Sequence, residues 1–73
     1  MKLLTLAKKL DFTQEFEYFD YCLDSYTKGN FSQCEKLFKA MTKEGKKRLI
    51  NYLKETYPYT EGVKCREFFI NLL

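Results

Sequence analysis

Apolar residues recur at intervals of three and four along most of the chain, which is the spacing of one face of an α-helix. No stretch alternates between apolar and polar residues for long enough to indicate a β-strand. Glycine is scarce and proline occurs once. The pattern therefore predicts an all-α fold, a compact bundle of four to five short helices that forms a single domain over residues 1–73.

The first helix is predicted over residues 2–10, with one apolar side. That side consists of Leu3, Ala7 and Leu10, with Leu4 and Leu6 beside it. A short amphipathic helix of this kind either covers the core of a fold or lies on a membrane surface. We expect this helix to cover the core.

The second helix is predicted over residues 13–27 and carries a continuous apolar seam. The seam consists of Phe12, Phe16, Phe19, Leu23 and Tyr26. The pattern predicts that these five side chains turn away from water together. Tyr18 and Tyr21 lie off the seam, among acidic residues that are expected to stay in water.

Three further helices show the same period. The third is predicted to end near Met41, the fourth to cover residues 43–56, and the fifth to start at Thr60 or Gly62. Their inward residues are predicted to be Cys34, Leu37, Phe38 and Met41, then Leu49, Ile50, Leu53 and Tyr57, then Cys65, Phe68, Phe69 and Leu72. The apolar C-terminus, "INLL", is expected to pack into the fold or into another subunit.

Polar side chains that cap helices mark the predicted starts. Asp11 or Thr13 would cap the second helix, Ser32 or Asn30 the third, and Thr42 the fourth. The predicted ends are marked by residues that do not continue a helix. Gly29 favours the left-handed conformation after the second helix, and Pro58 stops the fourth.

The chain has seven Phe and six Tyr among its 73 residues. Because one aromatic side chain buries about 150–250 Å2, these rings would build a core without a metal ion or a disulfide. Cys22, Cys34 and Cys65 fall at apolar helical positions and are expected to be buried thiols, a reactive thiol being the alternative. With three Cys and no His, the chain has one ligand too few for the usual four-ligand zinc sites. We predict no metal site and no cofactor.

The net charge of +3 conceals a division along the chain. Residues 1–10 carry +3, residues 11–27 carry −5, residues 28–54 carry +6 and residues 55–73 carry −1. The basic part includes a candidate ridge made of Lys36, Lys39, Lys43, Lys46, Lys47 and Arg48. Such a ridge would contact nucleic-acid phosphates, or it would be a solvated face that pairs with the acidic second helix. With only two Arg in the chain, nucleic-acid binding would be non-specific.

An enzyme is not expected, and we assign no catalytic residue. The chain lacks His, the usual general base near neutral pH, and it has no glycine-rich phosphate loop. Its N-terminal apolar stretch is too short for a signal peptide or a membrane span. A soluble protein of the bacterial cytoplasm, without membrane contact, is the expectation.

The stretch "SYTKGNFSQCEKLFKAMTKEGKKRLINYL", residues 25–53, resembles small uncharacterised helical proteins encoded by phages and mobile elements of gut bacteria. The resemblance is carried by Tyr26, by the Gly29-Asn30 turn, by Leu37-Phe38, and by Ile50, Tyr52 and Leu53. It implies a helical fold and an accessory role, such as binding a host or phage protein in an infected cell. It transfers no catalytic or binding residue.

The leading functional prediction is a non-enzymatic protein-interaction module, with a homodimer as one form of it. It rests on tyrosines in surplus over the needs of a core, because tyrosine is enriched at interfaces. These are Tyr18, Tyr21, Tyr52, Tyr57 and Tyr59. The alternative is a nucleic-acid-binding accessory protein that uses the basic ridge.

Overall fold

The computed structural model describes residues 2–73 as five helices with no strand among them. They are α1 (Leu3–Lys9), α2 (Glu15–Thr27), α3 (Phe31–Lys39), α4 (Lys43–Thr56) and α5 (Thr60–Ile70). The radius of gyration is 11.0 Å, which matches the value of about 11 Å expected for a compact domain of this length. The predicted all-α bundle is confirmed.

Helix α2 has the most neighbours, since it packs against α1, α3 and α5, while α4 packs chiefly against α5. The side chains predicted to face inward from α3 to α5 are largely confirmed. Those that are buried are Cys34, Leu37, Phe38, Met41, Leu49, Leu53, Cys65 and Phe69. Phe38 and Phe69 stack with ring centroids 4.9 Å apart, which joins α3 to α5 at the centre of the core.

One of the three predicted helix starts has a cap that was not among the candidates. Thr42 caps α4 as predicted, because its hydroxyl accepts a 3.1 Å hydrogen bond from the Gly45 N–H. Helix α3 is capped by the alternative candidate, Asn30, whose side chain accepts from the N–H of the third residue of the helix. Helix α2 begins after Gln14, so the predicted caps Asp11 and Thr13 were wrong.

Glu17 organises the start of α2 from within its first turn. Its Oε1 accepts hydrogen bonds from the N–H groups of Thr13 and Gln14, at 3.3 and 3.1 Å, and from the Thr13 hydroxyl at 3.0 Å. Main-chain N–H groups at a helix start have no partner inside the helix. The Glu17 carboxylate supplies one, which explains why α2 begins later than predicted.

Helices α1 and α2 end in the same way, with a left-handed residue after the last turn. Gly29 has φ 77°, as predicted, and Asp11 has φ 64°. In each case the next residue's N–H bonds back across the turn: Phe12 donates to the Ala7 carbonyl and Asn30 to the Ser25 carbonyl, both at 2.9 Å. Asp11 therefore ends α1 instead of starting α2.

The connection between α4 and α5 depends on Gly62. The first turn of α5 lies so close to the end of α4 that a Cβ at Gly62 would meet the main-chain oxygen of Tyr57 at 1.9 Å. The Tyr57 oxygen is a main-chain atom, so it could not rotate away from such a Cβ. The glycine is thus required by close approach, and it fixes how α5 follows Tyr57 and Pro58.

The buried face of α2 differs from the predicted seam by about one residue's rotation. It consists of Tyr18, Phe19, Cys22 and Ser25. Phe12, Leu23 and Tyr26 are half-buried beside this face, but Phe16 is 49 % exposed. The prediction that all five seam residues turn away from water was therefore wrong for Phe16.

The buried face of α2 includes two hydroxyl groups, those of Tyr18 and Ser25, and a main-chain carbonyl group accepts a hydrogen bond from each. The buried Tyr18 hydroxyl donates a 2.6 Å hydrogen bond to the Leu37 carbonyl of α3. The Ser25 hydroxyl donates to the Tyr21 carbonyl one turn earlier, at 3.0 Å. With their hydroxyls bonded, both side chains are buried without an unsatisfied polar group. Tyr18 belongs to the core and not among the solvated acidic residues.

The three cysteines, Cys22, Cys34 and Cys65, are free thiols and fully buried in the core, as predicted. Burial raises the pKa of each of them, that of Cys65 to about 12. At neutral pH they are therefore protonated, and they act as small apolar side chains rather than reactive ones.

The apolar ends of the chain are less buried than predicted. Leu4 is 40 % and Leu10 is 39 % exposed, so the buried side of α1 consists of Leu3, Leu6 and Ala7. At the other end, Leu72 is half-buried but Ile70 and Leu73 are exposed. Ile70 and Leu73 therefore do not pack into the fold, and the other expected alternative, packing into another subunit, stays a prediction.

Candidate protein-interaction surface

Phe16 lies in an open groove, which we call the Phe16 groove. The groove has a volume of about 560 Å3 and is bordered by Leu4, Thr13, Gln14, Glu15, Phe16, Phe19, Arg48 and Tyr52. Leu4 and Phe16 contribute exposed apolar surface, whereas Phe19 is buried beneath it. The groove therefore combines residues of α1, α2 and α4, and its apolar part faces solvent.

An ion pair forms one edge of this groove. Arg48 of α4 donates from Nη2 to Glu15 Oε1 at 2.7 Å and from Nη1 to Oε2 at 3.3 Å, the paired geometry that suits a guanidinium and a carboxylate. The hydrogen bond from Arg48 lowers the pKa of Glu15. The two groups lie at the surface, so the pair holds Arg48 in place more than it stabilises the fold.

A second polar contact fixes the ring of Tyr52. The hydroxyls of Tyr52 and Tyr57 both donate to Asp20 Oδ1, at 2.7 and 2.9 Å. Burial is the main cause of the raised pKa of Tyr52, and its hydrogen bond to Asp20 is the second cause. For Tyr57, the hydrogen bond to Asp20 is the main cause of the raised pKa. One carboxylate of α2 thus positions two rings from the end of α4.

The five tyrosines proposed as interface residues have different environments. Tyr18 is buried, so its expected place at the surface was wrong. The half-buried Tyr21 accepts a 2.9 Å hydrogen bond from the Gln33 side chain, and Tyr52 and Tyr57 share Asp20. Tyr59 is exposed, and its ring lies edge-on to Tyr57. Whether any of them contacts a partner remains a prediction.

Three of the six residues of the predicted basic ridge make separate contacts with other side chains. Lys39 pairs with Glu35 at 2.7 Å, Arg48 pairs with Glu15, and the Lys46 ammonium lies 5.5 Å from the centre of the Phe38 ring. The expected pairing of the ridge with the acidic second helix is confirmed for Arg48. Lys36, Lys43 and Lys47 form no ion pair within residues 2–73.

The residues that sequence reasoning missed are the exposed apolar ones. Phe16 was predicted to be in the core, and Leu4 and Leu10 were predicted to lie on or beside the buried side of α1. No signal in the sequence identifies Phe16 as exposed, because it continues the apolar period of α2.

Comparison of the chain with protein-family models, curated proteins and solved structures finds no significant match. The resemblance of residues 25–53 to phage and mobile-element proteins therefore stays a prediction. Within residues 2–73, no helix has the length and apolar character needed to cross a membrane. The same part of the chain holds no cluster of three His, Cys, Asp or Glu side chains arranged to bind a metal ion.

Proposed function

We propose that this chain is a protein-interaction module that binds a partner protein through the Phe16 groove. The observation that carries the proposal is the exposure of Phe16 beside Leu4, Arg48 and Tyr52. Large apolar side chains grouped at a surface are typical of binding sites. Tyr and Arg are among the residues that contribute most to binding energy at interfaces.

The polar contacts around the groove support the same proposal. Glu15 holds Arg48, and Asp20 holds Tyr52, before any partner arrives. Side chains that are already ordered lose less conformational entropy on binding, so more of the contact energy appears as affinity. The resemblance of residues 25–53 extends the proposal to an accessory protein of a phage or mobile element that binds a host or phage protein.

The test compares two surface variants of the tagged protein. Phe16→Ser removes the central apolar side chain of the groove, and Ile70→Ser removes an exposed apolar side chain outside it. Each protein is used to retrieve partners from lysates, and the affinity of a purified partner is then measured. We expect Phe16→Ser to weaken binding at least tenfold and Ile70→Ser to leave it within about twofold. A partner that binds both variants equally would contradict the proposal.

If the partner is a second copy of this chain, the protein is a homodimer. Sedimentation at micromolar concentration distinguishes it, because the unchanged chain would then sediment as a dimer and Phe16→Ser as a monomer. A monomer in both cases leaves a different protein as the partner, and the retrieval experiment then decides.

The alternative function, non-specific binding of nucleic acid, is favoured by the lysines of the ridge that form no ion pair within residues 2–73, which are Lys36, Lys43, Lys46 and Lys47. Binding through phosphate contacts would weaken steeply between about 50 and 200 mM salt. Fluorescence anisotropy with duplex and single-stranded oligonucleotides measures this dependence. No binding at the lower salt would exclude the alternative.

A further inference from the structure

A second groove lies between α1 and α3, and its surface differs from that of the Phe16 groove. It is bordered by Leu6, Lys9, Leu10, Tyr18, Lys36, Leu37 and Ala40, and its volume is about 190 Å3. We call it the α1–α3 groove. Small-molecule sites usually measure about 300–1,000 Å3, so this space suits side chains of a docked segment better than a free ligand.

The apolar part of the α1–α3 groove is accessible because of how α1 ends. The left-handed conformation of Asp11 stops the helix at Lys9, and Leu10 then lies 39 % exposed at the edge of the groove. Leu6 and Leu37 form buried parts of the lining, and Ala40 follows the last turn of α3. The lining is thus aliphatic apart from its charged edges.

The charges that border the groove are of one sign. Lys9 and Lys36 are its only charged lining residues, and neither forms an ion pair within residues 2–73. Of the acidic residues nearest to them in sequence, Glu35 is paired with Lys39, and Asp11 does not line the groove. An aliphatic surface between two unpaired ammonium groups therefore favours a partner with apolar and acidic side chains.

We propose that the α1–α3 groove binds an acidic amphipathic helix of a partner protein. Leucine-like side chains of that helix would contact Leu10 and Ala40, and its carboxylates would pair with Lys9 and Lys36. Recognition of this kind uses apolar side chains spaced three and four residues apart along the bound helix. The proposal concerns a second surface and does not depend on the Phe16 groove.

Nucleic acid is a less suitable occupant of this groove. Bases bind single-strand sites by stacking on exposed aromatic rings, and the only ring in the lining, that of Tyr18, is buried with its hydroxyl bonded to Leu37. Lysines at the groove edges would still attract phosphates. The experiment therefore includes an oligonucleotide.

The probe is a fluorescent helical peptide of about 16 residues with leucines three and four apart and glutamates between them. Lys9→Glu combined with Lys36→Glu reverses both edge charges. Lys43→Glu combined with Lys47→Glu is the matched control, since it changes the net charge equally on α4, outside the groove. Circular dichroism verifies that both double variants are folded.

We expect the unchanged chain to bind this peptide, with amide NMR shifts at Leu6, Leu10, Leu37 and Ala40. The Lys9/Lys36 variant should bind at least tenfold more weakly, and the Lys43/Lys47 variant within about threefold of the unchanged chain. A Phe16→Ser variant should bind normally, which separates this site from the proposed function.

Three results would overturn the proposal. The first is no binding at about 1 mM peptide. The second is an equal loss in both double variants, which would indicate unspecific attraction between opposite charges. The third is tighter binding of a duplex oligonucleotide, lost in the Lys9/Lys36 variant, which would assign the lysines to phosphate contacts.

Discussion

The Tyr18 hydroxyl donates a 2.6 Å hydrogen bond to the Leu37 carbonyl oxygen, and this bond ties α2 to the last turn of α3. The Leu37 carbonyl receives no main-chain bond from Met41, whose N–H donates to Phe38 instead. Carbonyl groups at a helix end lack partners inside the helix. The tyrosine thus satisfies a buried acceptor that α3 itself leaves open.

Replacing Tyr18 by Phe tests this relationship with a change of one atom. The ring still fills its place, but the Leu37 carbonyl is left buried without a donor. We expect the free energy of unfolding to fall by about 1–3 kcal/mol, measured by urea denaturation. The control is Tyr59→Phe, since Tyr59 is exposed and its hydroxyl makes no hydrogen bond within residues 2–73. Equal effects of the two changes would argue against a special role of the buried hydroxyl.

The position of Gly62 predicts a large effect from one methyl group. Gly62→Ala would place a Cβ against the Tyr57 main-chain oxygen, which has no free rotation to avoid it. Because α4 and α5 must then move apart, we expect the unfolding free energy to fall by about 3 kcal/mol, measured by thermal or urea unfolding.

Gly29→Ala separates this contact from ordinary glycine strain. A Cβ at Gly29 meets no atom within 4 Å, but its φ of 77° is unfavourable for alanine. Its expected effect is about 1 kcal/mol. A Gly62→Ala effect no larger than the Gly29→Ala effect would mean that the α4–α5 turn adjusts without strain.

Phe16 and Phe19 differ in burial although they are three residues apart on one helix. Phe16→Ala should lower the unfolding free energy by only about 1 kcal/mol, because the residue is 49 % exposed and buries only half of its surface. Phe19→Ala, which empties a place in the core, should cost about 3–5 kcal/mol. Urea denaturation of both variants measures the difference. Similar costs would restore the predicted seam and remove the basis of the Phe16 groove.

Removal of the Asp20 carboxylate should change the ultraviolet titration of two tyrosines. With Asp20→Ala, the hydroxyls of Tyr52 and Tyr57 lose the acceptor that contributes to their raised pKa values. Both pKa values should move down toward that of an ordinary tyrosine, and ultraviolet absorbance titration detects this. Asp24→Ala is the control, since that carboxylate of the same helix pairs with Lys28 at the surface and accepts from neither tyrosine. An unchanged titration curve would contradict the shared contact.

Because three thiols are buried in the core, we expect the fold to lose stability at alkaline pH. Burial holds the pKa of Cys22, Cys34 and Cys65 above the ordinary value of 9.0. The folded chain thus keeps protons that the unfolded chain loses, so stability is complete below about pH 9 and falls as the pH rises through the raised values. The slope approaches about 1.4 kcal/mol per pH unit for each such thiol.

Unfolding free energies measured from pH 7 to pH 10.5 would reveal this slope. A variant with Cys65→Ala should lose less stability over the same range, because one of the three raised pKa values is gone. A constant stability above pH 9, or a slope unaffected by that substitution, would show that the thiols ionise freely in the fold.

Helix positions were predicted well because they depend on neighbours in sequence. Thr42 caps α4, Gly29 ends α2 and Pro58 follows α4, as local chemistry required. The rotation of α2 was not predictable in this way. Phe16 continues an apolar period that any short window favours, whereas Tyr18 enters the core only because a carbonyl of α3 accepts its hydroxyl's hydrogen bond.

The candidate surface was predictable only in part, for the same reason. Sequence reasoning identified Tyr52, Tyr57 and Arg48 as notable, but their partners are 32 to 37 residues away and are fixed by the fold. Which apolar residues remain in water depends on where helices leave gaps between them. The exposure of Phe16 and Leu4 therefore depends on how α1, α2 and α4 pack together, and the sequence of one helix alone does not determine it.

Because half of the surface of Phe16 already lies in water, folding places less demand on which amino acid occupies that position. Position 16 is thus free to diversify among descendants of this chain, while Phe19, three residues on, is not. If an outside molecule selects the residue at position 16, its substitutions over time would follow changes in that molecule and would leave the scaffold intact.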